Sequence, residues 1–165
     1  METLLAATLV IAGVRRSNNI PWTLMVDPSP QDEQRGNPDG MRSLAKSSQL
    51  PIERIRYFPD STTSLIGEIK RGVLFVMAFW SVPSIKAFSQ LTEIIHRLDP
   101  YGTLEFVVID TDGAQTFYEH PDFKENLRGA GETAWIKDGV IQCTSGLGYN
   151  PNCFEPNTKK LLAAN

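Results

Sequence analysis

Residues 73–80 read Val-Leu-Phe-Val-Met-Ala-Phe-Trp, eight apolar side chains in succession. A surface helix or a one-sided strand would expose about half of such a run to water. Its length and its β-branched and aromatic content instead fit a strand buried on both faces, in the middle of a sheet with helices above and below. Ser81, Val82, Pro83 and Ser84 follow. Serine is a good N-cap and proline is welcome in a first helical turn. Ile85, Phe88, Leu91, Ile94 or Ile95 and Leu98 then recur at helical spacing, which predicts an amphipathic helix over 84–98. Asp99, Pro100 and Gly102 end it. A second apolar strand, LEFVVID, occupies 104–110. Strand, helix and strand within about forty residues make a βαβ unit, with the strands parallel and the crossover right-handed.

The same reading extends in both directions. Residues 52–58 (IERIRYF) alternate imperfectly and predict a strand with Ile52, Ile55 and Tyr57 or Phe58 inward. Ser61 or Thr62 caps a short helix that runs through Lys70 and stops at Gly72. Residues 111–127 look helical but are split by Pro121, predicting two short helices. Residues 133–136 and 140–144 flank Lys137-Asp138-Gly139, and Asp-Gly between apolar runs signals a hairpin. Residues 154–164 form a last helix with Leu161 and Leu162 inward. The resulting order is β-α-β-α-β-α-β-β-α, a mixed four- or five-stranded sheet with helices on both faces.

Composition bounds the function. At 165 residues the chain has the length of about one domain of ~100–200 residues. Sixteen basic and nineteen acidic side chains leave a net charge of −3, against the basic face that phosphate neutralisation requires, so no nucleic-acid partner is expected. Residues 4–14 (LLAATLVIAGV) are too short for a membrane span of ~20 residues. Glu2 precedes this run and Arg15-Arg16 follow it, the reverse of a signal peptide's flanks, so a cytoplasmic location is expected over secretion. Pro21, Pro28, Pro30 and Pro38 with Gly36 and Gly40 read as a linker. Residues 1–49 are therefore an N-terminal arm, partly disordered, and 50–165 the domain.

The order of elements and four local stretches resemble the thioredoxin fold family. These stretches are VLFVMAFW, then Ser81-Val82-Pro83-Ser84-Ile85-Lys86, then VVIDTDG, then ETAWIKDGVI. The resemblance covers about residues 50–165, with Trp80, Pro83, Lys86, Asp110, Asp112, Thr133, Lys137, Asp138 and Gly139 in register, and implies a three-layer α/β/α sandwich. Three departures stand out. The family's two redox cysteines are Ser81 and Ser84, and a hydroxyl neither attacks sulfur as a thiolate does nor resolves a mixed disulfide. The family's cis-proline before the threonine is Glu132, which implies a trans, reshaped loop. The buried acid that deprotonates the inner thiol in many members is Phe75. All three remove parts of one redox apparatus.

Trp80, Ser81, Val82, Pro83, Ser84, Gly131, Glu132 and Thr133 would, by the resemblance, line a groove for an extended peptide. Ser81 also has the simpler role of helix cap. His96 and His120 have no partner pattern, and Asp110 with Asp112 lacks a third oxygen ligand, so no catalytic residue, metal or cofactor is expected. Cys143 and Cys153 are either a disulfide pair pinning the last strand to the last helix or two free thiols. The expectation is a redox-inactive thioredoxin-like domain that binds another protein or an extended peptide, as an interaction, chaperone-like or immunity-type module. The alternatives are a thiol-disulfide oxidoreductase using Cys143 and Cys153, and a structural domain of a larger assembly.

Overall fold

The computed structural model describes residues 36–146 and 150–164. The readings made for residues 1–35, the apolar run 4–14 and most of the proline-rich stretch among them, lie outside the described residues. Residues 73–77 of the eight-residue apolar run become the central strand of a sheet. Five strands, β1 (Ile55–Phe58), β2 (Arg71–Met77), β3 (Glu105–Asp110), β4 (Thr133–Lys137) and β5 (Val140–Thr144), lie in the order β1-β3-β2-β4-β5. β2 and β1 both run parallel to β3; β4 is antiparallel to β2 and β5 to β4.

Alternation along β2 and β3 divides the core into two layers. Val73, Phe75, Met77, Phe106 and Val108 face helices α1 (Gly40–Ser47), α3 (Val82–Leu98) and α4 (Phe154–Ala163) through Leu44, Phe88, Leu91, Ile95 and Leu161. Leu74, Val76, Val107 and Ile109 face the other way, against Leu65 and Ile66 of helix α2 (Ser64–Glu68) and against Phe117 and Phe123. Trp135 of β4 is fully buried, and its indole N–H donates to Thr158 Oγ1 of α4 at 3.0 Å, which satisfies the one polar atom of a large apolar ring. The Asp138-Gly139 hairpin forms with both residues at positive φ, 51° and 73°, as a two-residue hairpin turn of this chemistry requires.

The boundaries differ in instructive ways. β2 starts at Arg71 and includes Gly72, because any Cβ there would run into the Glu105 carbonyl of the paired strand; the glycine permits close strand approach rather than ending a helix. The strand stops at Met77, and Ala78 to Ser81 form the exit turn, closed by Ser81 N–H donating to the Ala78 carbonyl at 3.0 Å. Ile52–Arg54 is a 3₁₀ turn, so β1 is shorter than the alternation suggested. Residues 111–127 hold one 3₁₀ turn, Gln115–Glu119, in place of two helices; Phe117 and Phe123 still reach the core, edge to face at 5.6 Å.

The N-terminal side differs most. α1 and the turn before it lie within the stretch read as an arm, yet Leu44 is fully buried in the same core as Phe88 and Ile95. Gln49 N–H donates to the buried Thr92 Oγ1 of α3 at 3.1 Å. The packed domain thus takes in residues ahead of Leu50, at least from Gly36 onward.

Candidate functional site

The C-terminal ends of β2 and β3 and the start of β4 converge where α3 begins. Ser81 caps α3, its hydroxyl accepting the Ser84 N–H at 3.5 Å, and Pro83 sits in the first turn. Ser84 is fully buried. Its hydroxyl accepts the Ala78 N–H at 3.0 Å and donates to Met77 Sδ at 3.5 Å. Both hydroxyls are thereby engaged in building the turn. Neither has a histidine beside it among the described residues: His96 is exposed on the far part of α3, and His120 Nδ1 accepts the Asp122 N–H at 3.3 Å. A nucleophilic hydroxyl needs such a base within hydrogen-bond reach, and the arrangement supplies none.

Beneath the serines, Phe75 is fully buried and meets Phe88 edge-on at 5.5 Å. The layer that would hold a proton acceptor is therefore hydrocarbon. Above them the surface is apolar. Trp80 is 66% exposed and Val82 61% exposed, side chains that hydration disfavours. The Trp80 ring rests on Gly129, whose φ of +71° and lack of a side chain both matter: a Cβ there would meet the indole at 2.6 Å.

The loop before β4 is shaped by a carboxylate. Glu132 is buried, and its carboxylate oxygens accept the Arg128 N–H at 2.9 Å and the Ala130 N–H at 3.2 Å. Its own carbonyl accepts the Val76 N–H at 2.8 Å, which joins the loop to β2. Thr133 is buried too; its hydroxyl donates to the Gly131 carbonyl at 3.1 Å, and its N–H donates to Ser145 Oγ at 3.0 Å. Every peptide bond among the described residues is trans. Glu132 thus ties the loop with its own hydrogen bonds, a role not plainly legible in the sequence. A carboxylate directly after Gly129-Ala130-Gly131 was the available signal.

The eight residues expected to line a groove fall into two classes of exposure. Trp80, Val82 and Pro83 present surface, whereas Ser81, Ser84, Gly131, Glu132 and Thr133 are internal. Cys143 on β5 and Cys153 before α4 are free, half-buried thiols packed against the α3–α4 core layer. Burial pushes both thiols up from their ordinary value; Lys160 opposes this at Cys143, and a backbone hydrogen bond opposes it at Cys153. The thiolate, which is the attacking form, is disfavoured at both. No helix among the described residues is long and apolar enough to cross a membrane.

No family model matches the sequence. No curated protein matches it either. Solved structures do. The oxidised mitochondrial thioredoxin 3 of Saccharomyces cerevisiae superposes with a TM-score of 0.51 at 20% identity, over 72% of this chain and 98% of that one. A chain from a structural study of thiol resolution in yeast mitochondrial 1-Cys peroxiredoxin gives 0.50 at 22% identity, over 64% and 94%. Oxidised thioredoxin from Plasmodium falciparum gives 0.50 at 20%, over 66% and 99%. The chain has a thioredoxin-like α/β fold, with a mixed five-stranded sheet between two layers of helices and turns.

Proposed function

We propose that this thioredoxin-like domain works by binding an extended segment of another protein, without thiol–disulfide chemistry. The observation that carries the reading is the buried Ser84 hydroxyl, spent on the Ala78 N–H and Met77 Sδ where the resemblance would put a thiol. Phe75 beneath it and Glu132 in the facing loop support the same reading, since each takes the place of another redox part. The exposed Trp80 and Val82 supply what a binding surface needs: apolar area, with an aromatic side chain of the kind enriched in interface hot spots.

The test has two arms. In an insulin-reduction assay with dithiol, turnover should stay at background. Activity above it that disappears in Cys143→Ser would favour the thiol reading. A panel of extended peptides, scored by titration against the wild-type chain and Trp80→Ala, should show binding that weakens at least about tenfold in the variant, the loss of ~1.4 kcal/mol expected of an interface aromatic. Equal affinities would place the binding surface elsewhere.

A further inference from the structure

Asp110 ends β3 opposite Met77 of β2, one residue from the turn that Ser84 builds. Its side chain is 1% exposed, and its partners come from far along the chain. Oδ2 accepts the Asn37 N–H at 2.7 Å and lies 3.2 Å from the Tyr57 hydroxyl; Oδ1 accepts the Asp112 N–H at 2.9 Å. The Tyr57 hydroxyl lies 2.8 Å from the Asn37 carbonyl. Gly40, at the start of α1, is packed against the Tyr57 ring. The N-terminal segment is thus fastened to the sheet through one buried carboxyl and one phenol.

We propose that Asp110 is a proton-linked clasp: with its carboxyl protonated it holds residues 36–47 against the sheet, and when the proton leaves for solvent the segment loosens.

The Asn37 carbonyl can only accept, so the shorter of Tyr57's two contacts uses the single phenolic hydrogen. The Tyr57 oxygen then faces Asp110 Oδ2 at 3.2 Å with lone pairs on both sides, a repulsive pairing if the carboxyl is ionised. A carboxyl proton completes the series. Asp110 donates to Tyr57, Tyr57 donates to the Asn37 carbonyl, and the Asn37 N–H still finds a lone pair on Oδ2.

The surroundings act in the same direction. Burial raises the pKa of Asp110 above the ordinary aspartate value; the backbone N–H groups of Asn37 and Asp112 oppose it, and the charge of Asp112 adds to it. Tyr57 is raised too, first by burial and then by the charges of Asp110, Asp60 and Asp112. From the segment itself come Asp39 and Arg42, paired with each other at 3.3 Å on the surface. From β2 comes Met77, the uncharged strand partner of Asp110. When the segment lifts, water reaches the carboxyl and its charge is no longer penalised. The open form therefore binds the proton less tightly than the closed form, and by linkage a rise in pH favours opening.

The test measures amide protection at Asn37, Gly40 and Leu44 in the full chain, each relative to Leu74 and Val107 in the sheet. It runs from about pH 4 to about pH 8. The Asp110 carboxyl carbon resonance is followed over the same range. In the wild type, relative protection should fall at least about threefold as the carboxyl titrates, at a pH above that of an ordinary aspartate. Asp110→Asn carries no titrating carboxyl, so its profile should be flat, whichever of the Asn37 N–H and the Tyr57 oxygen its amide serves at the Oδ2 position. Tyr57→Phe removes the proton's acceptor, so the carboxyl transition should move down and the profile flatten. Wild-type protection that is constant or rises with pH overturns the proposal, as does an Asp110→Asn profile that matches the wild type. Should Asp110→Asn fail to fold, the wild-type profile and Tyr57→Phe decide it.

Discussion

Ser84 Oγ lies 3.5 Å from Met77 Sδ in the turn between the central strand and α3, with the Ala78 N–H pointing at the same oxygen from 3.0 Å. A sulfur atom there would be larger and a weaker acceptor, and the Ala78 N–H would lose most of its partner. Ser81→Cys with Ser84→Cys should therefore fold with a loss of about 1–2 kcal/mol, seen as a lower midpoint in thermal denaturation. The variant should remain a poor reductase in the insulin assay. Phe75 offers the new inner thiol no proton acceptor, and the loop facing it is tied by Glu132 rather than shaped by proline. Turnover near that of a thioredoxin from these two changes alone would show that Phe75 and Glu132 matter little.

The two faces of α3 should respond oppositely to alanine. Phe88, Leu91 and Ile95 are fully buried against Phe75, Phe106 and their neighbours, while Lys86 and Glu93 are exposed. Phe88→Ala and Leu91→Ala should each cost about 2–5 kcal/mol, because the packed surroundings collapse only partly into the space left. Lys86→Ala should change stability by no more than about 0.5 kcal/mol. Equal and small effects in denaturant titrations would mean that α3 does not rest on a sheet.

Sequence reached the parts of this fold whose physics is local. The run at 73–80 read as a buried strand, and Val73 to Met77 form one; the spacing from Ile85 to Leu98 read as a one-faced helix, and Asp138-Gly139 as the hairpin turn. What it missed depends on partners distant in the chain. α1 has eight residues and one deeply buried apolar side chain, Leu44, too few for a period to show, and Pro38 and Gly36 just before it read as a linker. Gly72 looked like a helix stop because its real constraint, the Glu105 carbonyl of the neighbouring strand, lies 33 residues away by number. Asp110 looked like a polar strand end, since nothing near it in sequence announces Asn37 and Tyr57. In the candidate site the serines were visible as departures. So was the capping role of Ser81; the hydrogen bonds that hold the buried Ser84 hydroxyl, which argue against a free nucleophile, were not.

Asp99 gives the acid limb of stability. It is buried after α3, where Arg54 Nη2 meets its Oδ2 at 2.8 Å and the Thr103 N–H, the Thr103 hydroxyl and the Leu104 N–H all donate to it within 2.9 Å. Burial opposes its charge, but those hydrogen bonds and the Arg54 charge outweigh burial and hold its pKa below the ordinary value. A carboxyl depressed in the folded state adds stability that is complete above its unfolded pKa and is lost as pH falls through the folded one. The wild type should therefore lose stability below about pH 4, and Asp99→Asn should lose less over that range. At neutral pH the variant should already be weaker by about 2–4 kcal/mol, because Arg54 is left without its charge partner. Parallel denaturation midpoints for the two proteins across the acid range would remove Asp99 from the account.

Leu44 tests whether α1 belongs to the domain. A helix of eight residues is not stable alone in water, so α1 persists only through what it buries and how it is fastened. Leu44 supplies the burial, and Gly36, Asn37 and Gln49 supply the fastening, through Asp60, Asp110 and Thr92. Leu44→Ala should remove most of the apolar contribution and cost about 2–4 kcal/mol. The loss should be local before it is global. Amides of 40–47 should exchange much faster, while those of Leu74, Val76 and Val107 slow or quicken only with the overall stability. A separate arm would give a different result, with no change in the unfolding midpoint and fast exchange over 40–47 already present in the wild type. The contrast is sharp because the core layer between β3 and α3 has no other side chain from this segment to take the place of Leu44 among its fully buried residues.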